Sequence, residues 1–171
     1  MLDTMTRYLS AITEVRWRKA LYDLLSPMVD RTSTQPLTSA GIVIKSGGST
    51  LAKTGSNSTH LAVQGKLAKI NGSTDLAALS GTVTNAKFNV YCWFIDSGGT
   101  VTSQMGSEGA TRAAVKFPTL PVGKALVGFV IINPTGTGNF VGGTTALDDG
   151  TVVPNAEYVS PTGDFDPTVL I

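Results

Sequence analysis

From Pro36 onward the chain offers no second long helical period; it is a succession of short β-type runs cut apart by Gly, Asn, Ser and Pro clusters. That punctuation restricts the fold more than any single residue does. Helices need uninterrupted runs of about ten residues, whereas strands of five or six tolerate frequent turns. The runs are Gly41 to Lys45, Thr50 to Thr54, His60 to Ile70, Gly81 to Thr84, Ala86 to Asp96, Thr100 to Gln104, Thr111 to Phe117 and Lys124 to Asn133. Eight strand candidates in this pattern predict an antiparallel β-sandwich or jelly-roll-like domain. Composition agrees: Gly, Ser and Thr supply about a third of the 171 residues, and charged residues only 15%. With 42% of the chain apolar, the low-hydrophobicity, high-charge condition for disorder is not met.

Residues 1–29 read differently. Leu2, Met5, Leu9 and Ile12, then Leu21, Leu24 and Met28, recur at spacings of three and four, predicting a helix from Leu2 to Leu25 that Pro27 closes. The stripe shifts between Val15 and Trp17, so the two halves present different faces or form a stutter in a short coiled coil. Arg16, Arg18 and Lys19 around Trp17 make a basic aromatic cluster, either a solvated face or a surface for an acidic protein. Residues 30–37 read as a linker, 38–153 as the β domain, and 154–171 as a turn-rich C-terminal tail lying over a neighbouring surface.

Two runs look central. In Ala86 to Asp96, Phe88, Val90, Cys92 and Phe94 share one face and Asn89, Tyr91, Trp93 and Ile95 the other. Both faces are apolar from Tyr91 onward, so another sheet or another subunit must cover Tyr91 and Trp93. Lys124 to Asn133 is the second, stopped by Asn133-Pro134.

Charge and spacing exclude several functions. A net charge of +1 is too small for a protein that works by neutralising phosphates, which argues against nucleic acid as a partner. No apolar run approaches the length of a membrane span. The first residues lack the apolar centre of a signal peptide, predicting synthesis in the cytosol. Cys92 and His60 are single residues of their types, leaving no disulfide and no His/Cys zinc cluster.

The search for chemistry ends similarly. Gly136 to Gly142 resembles a phosphate-cradling glycine loop, but its spacing misses by one residue and no helix pattern follows. His60 stands at a strand start with no nucleophile-elbow sequence anywhere. Cys92 alternates with apolar neighbours as a buried residue does. Asp148-Asp149 and Asp164-Phe165-Asp166 are close carboxylate pairs, yet turn formation accounts for both. Asn57-Ser58-Thr59 and Asn71-Gly72-Ser73 fit the glycosylation triplet by composition. No cofactor, metal or catalytic constellation emerges, and an interaction protein is expected rather than an enzyme.

The stretch Gly106-Ser-Glu-Gly-Ala-Thr-Arg-Ala-Ala-Val-Lys-Phe-Pro-Thr-Leu-Pro-Val-Gly-Lys-Ala-Leu-Val-Gly-Phe-Val-Ile-Ile-Asn-Pro-Thr-Gly-Thr-Gly-Asn-Phe-Val-Gly-Gly-Thr-Thr resembles virion structural proteins of tailed bacteriophages, of the kind that decorate capsids as head fibres or cement proteins. The resemblance spans Thr38 to Val153. It implies a small β domain, commonly trimeric, on the exterior of a virion and attached to the major capsid protein by one terminal segment. Leu2, Met5, Leu9, Ile12, Trp17, Leu21 and Leu24 are then the expected attachment or association residues, with Tyr91 and Trp93 as a second interface. Two rivals remain: a tail-associated adhesin stacking Tyr91, Trp93 or Tyr158 on a host-surface glycan, and a glycosidase- or lipase-like enzyme using Asp148 or Asp164.

Overall fold

The two most apolar runs pair with each other. Asn89–Asp96 and Lys124–Ile132 form the long antiparallel strands at the centre of a four-stranded sheet. The structure is a computed structural model that describes residues 15–26 and 33–163. Residues 15–26 form helix α1. The strands in chain order are β1 (Gln35–Pro36), β2 (Val43–Ile44), β3 (Ala52–Lys53), β4 (Thr59–Val63), β5 (Lys66–Ile70), β6 (Thr82–Val83), β7 (Asn89–Asp96), β8 (Val101–Met105), β9 (Lys124–Ile132), β10 (Phe140–Val141) and β11 (Glu157–Val159).

The central sheet has the order β11-β9-β7-β8, beside a β1-β4-β5 sheet and the small pairs β2-β3 and β10-β6, with every pairing antiparallel. The protein is thus mainly β with an N-terminal helix, as its punctuation predicted, and its packed sheets match a β-sandwich.

The two faces of β7 enter two cores. Tyr91, Trp93 and Ile95 join Leu61, Val63, Ile70, Val130 and Ile132 between the central sheet and the β1-β4-β5 sheet, whose strands β1 and β4 pack on β9. Val90, Cys92 and Phe94 join Val115, Leu126, Phe129 and Ile131 on the opposite side. There the cover is the segment following β8, with Phe117 edge-on to Phe129 at 5.0 Å between ring centroids.

A register shift between Trp93 and Phe94 reconciles the strands: Trp93 pairs with Gly128 and Phe94 with Leu126, so Val127 is an extra residue on β9. Such a bulge preserves the apolar alternation on either side of it. Gly128 is required there, because a Cβ would lie 2.5 Å from Ile42 and 2.6 Å from the Val159 carbonyl.

Several boundaries differ from the sequence reading. His60 to Ile70 is a hairpin, not one strand: Gln64 and Gly65 both take positive φ, 51° and 73°, in the two-residue turn that right-twisted strands favour. Thr111 to Phe117 contains a 3-10 turn at Arg112–Ala114 instead of a strand. The expected linker contributes β1, where Pro36 is tolerated because the strand lies at an edge. The expected tail contributes β11, which pairs with β9 between the flanking Pro154 and Pro161. The chain divides between Thr32 and Ser33, so the β unit begins before residue 38 and continues past residue 153.

Ala86 has φ of 60°, held by the hydrogen bond from its N–H to the Pro134 carbonyl at 2.7 Å. A side chain in this left-handed region costs about 1–2 kcal/mol. Ala86→Gly should therefore raise stability by about 0.5–1 kcal/mol after the greater freedom of glycine in the unfolded chain is subtracted. Urea unfolding checks this, and an unchanged or lower midpoint refutes it.

Candidate interaction surface

Successive residues of α1 turn by about 100°, which places Trp17, Leu21, Leu24 and Leu25 within an arc of roughly 100°. All four are exposed, Trp17 at 72%, Leu24 at 66%, Leu21 at 55% and Leu25 at 43%. Val15 and Tyr22 are equally open but lie about 60–80° beyond Leu25, past Arg18. The opposite side carries Arg16, Lys19 and Asp23, with Lys19 Nζ donating to the Asp23 carboxylate at 3.2 Å one turn away. The helix is amphipathic, and it is described as far as Ser26, the residue before Pro27. Leu25 was missed in the sequence reading, although its spacing of four from Leu21 marks it. Leu2, Met5, Leu9 and Ile12 lie outside the described residues.

Tyr91 and Trp93 require a correction: both are fully buried and offer no surface to a partner or a sugar. Their cover comes from this chain. Trp93 Nε1 donates to the Ala77 carbonyl at 2.8 Å, Tyr91 Oη donates to the Gly81 carbonyl at 3.3 Å, and the Tyr91 ring meets Phe140 edge-on at 5.9 Å. The segment Leu76 to Gly81, rich in Ala and Leu without a strand pattern, thus lies over the β7 face. Tyr158 is half-buried, and its Oη is a buried atom without a hydrogen-bond partner.

The residues considered for chemistry occupy structural positions. The Asp148 carboxylate accepts the Gly48 N–H with both oxygens, at 3.1 and 3.0 Å, tying two loops together. Asp149 Oδ1 accepts the Thr151 N–H at 2.9 Å within its own turn. His60 lies on β4 opposite Lys69. Cys92 is buried, and burial pushes its thiol well up from the usual range. In the glycine-rich stretch Phe140–Val141 is strand β10, so no helix N-terminus faces the loop. Asp164 and Asp166 are outside the described residues. Among the described residues no group of three or more His, Cys, Asp or Glu is placed to hold a metal, and no helix is long and apolar enough to cross a membrane. Comparison with known proteins finds no matching family model, curated protein or solved structure.

Core and helix aromatics should respond oppositely to truncation. Trp93→Ala should cost about 3–5 kcal/mol of stability, whereas Trp17→Ala should change it by no more than about 0.5 kcal/mol. Chemical denaturation of both variants tests the contrast, which fails if their midpoints shift alike.

Burial, with a smaller contribution from Glu108, raises Tyr91 from 10.0 to about 12, and burial with Asp148 does the same for Tyr158. Folded pKa values above the unfolded ones mean that the native state holds protons the unfolded chain has lost. This stabilisation is complete below pH 10 and disappears as pH rises towards about 12. Melting temperature should accordingly fall across that window, and Tyr91→Phe should flatten the fall.

Proposed function

We propose that this chain is a non-enzymatic virion structural protein that decorates the exterior of a bacteriophage capsid, joining the major capsid protein through its N-terminal helix and associating as a homotrimer. The observation that carries this reading is the exposed stripe of Trp17, Leu21, Leu24 and Leu25 on α1. A contiguous exposed apolar patch marks an interaction site, and an amphipathic helix offers one by docking its apolar face into a partner's groove.

Magnitudes support it. Burying each such side chain contributes about 1.5–3 kcal/mol, so the four give several kcal/mol per chain after ordering costs. Three chains linked together multiply the attachment points, and the apparent affinity rises without any new type of contact. The β unit buries its own largest aromatics and contributes strength rather than stickiness, which suits an accessory on a shell. The glycan-binding alternative has less to rest on, because Tyr91 and Trp93 are wholly buried.

Replacing Trp17, Leu21 and Leu24 together by Ser in the full chain should leave the melting transition of the β unit in place while abolishing occupancy on particles. Particle binding followed by quantitative gel analysis measures this. Wild-type occupancy of the variant would overturn the assignment.

A further inference from the structure

We propose that the β8 edge of the central sheet pairs with β8 of a second copy of this chain, antiparallel and centred on Ser103, so that the two four-stranded sheets become one. The backbone geometry makes the edge available. The Asp96 N–H donates to the Thr100 carbonyl and the Gly106 N–H to the Val90 carbonyl, and the register between them pairs Cys92 with Gln104 and Phe94 with Thr102. Even-numbered residues of β8 therefore direct their amides and carbonyls towards β7. Val101, Ser103 and Met105 direct theirs outward. Among the described residues none hydrogen-bonds these outward backbone groups; the Ser103 hydroxyl donates to the Ala78 carbonyl, which leaves its backbone open.

Other edges carry the features that discourage strand addition. β1 contains Pro36, β5 carries Lys66 and Lys69, and β11 carries Glu157 between Pro154 and Pro161. β8, Val-Thr-Ser-Gln-Met, has no charge and no proline. This neutrality selects the occupant. Antiparallel self-pairing of β5 about Ala68 would set Lys66 opposite Ile70 and Lys69 opposite Leu67, with the two Lys69 side chains on the diagonal, whereas in β8 it sets Val101 opposite Met105, Ser103 opposite Ser103 and Thr102 opposite Gln104, with no charge at the junction. The outward groups of the three odd residues would exchange about six backbone hydrogen bonds across the twofold axis. The contact is separate from the helix stripe: its twofold axis joins a chain of one proposed homotrimer to a chain of another and makes none of the contacts within a trimer, so its failure leaves the decoration reading intact.

The register supplies the test. Thr102 and Gln104 of the second copy would form a pair without mutual hydrogen bonds, with Cα atoms about 4.5 Å apart, whereas identical residues would lie about 7–8 Å apart on the diagonal. Full-length chains carrying Thr102→Cys and Gln104→Cys are prepared in a Cys92→Ala background, which removes the buried thiol opposite position 104. On mild oxidation the mixture should form a disulfide-linked dimer at least about tenfold faster than either chain alone, because only the mixed pair falls within disulfide reach. Equal rates in the mixture and in the separate chains would overturn the proposal. A second measurement does not depend on cysteine. In the Trp17, Leu21 and Leu24 to Ser background, Thr102→Lys with Gln104→Glu should retain the doubled mass in sedimentation, while Thr102→Lys with Gln104→Lys should have half of it. Identical masses would also overturn the proposal.

Discussion

The pairing of β7 with β9 is the interaction on which the rest of the β unit depends. Eight registered residue pairs bring together two strands that are apolar on both faces, and neither face is left to water. A sheet of this kind cannot be stable with one side bare, because each exposed Trp, Tyr, Phe or Ile forfeits about 1.5–3 kcal/mol of burial. The chain answers by placing the β4–β5 hairpin and the Leu76 to Gly81 segment on one side, and the loop bearing Val115 and Phe117 on the other. Much of the irregular structure thus serves as cover for two strands.

That arrangement explains why polar contacts concentrate where loops meet the sheet. Trp93 and Tyr91 each carry one polar group into the core, and a loop carbonyl at Ala77 or Gly81 receives it. Buried Asn89 is satisfied in the same way, donating to the Gly106 carbonyl and accepting the Val90 N–H. A buried donor without an acceptor would cost about 1–3 kcal/mol, so these bonds hold the covering segments in one position as well as joining them.

The sequence made the centre of the fold legible because alternation is a local signal. The separation of Val90, Cys92 and Phe94 from Tyr91, Trp93 and Ile95 follows from period two alone. What covered each face was not legible, because the answer lies in segments remote along the chain and with no period of their own. The turn at Gln64-Gly65 escaped notice because Gln is not the usual residue for positive φ. β11 is three residues long, too short to alternate visibly, and exists because β9 offers it an edge. The helix stripe was readable at Leu21 and Leu24 through spacing, Trp17 stood out as the aromatic among Arg16, Arg18 and Lys19, and exposure added Leu25.

The exposed apolar residues of α1 share no member with either core cluster of the β unit. On the proposed attachment reading, recognition and stability are written on different parts of the chain. Mutational drift in one need not be compensated in the other, and a lineage carrying this architecture could be retargeted to a different scaffold by rewriting a few helical positions, without relearning how to fold.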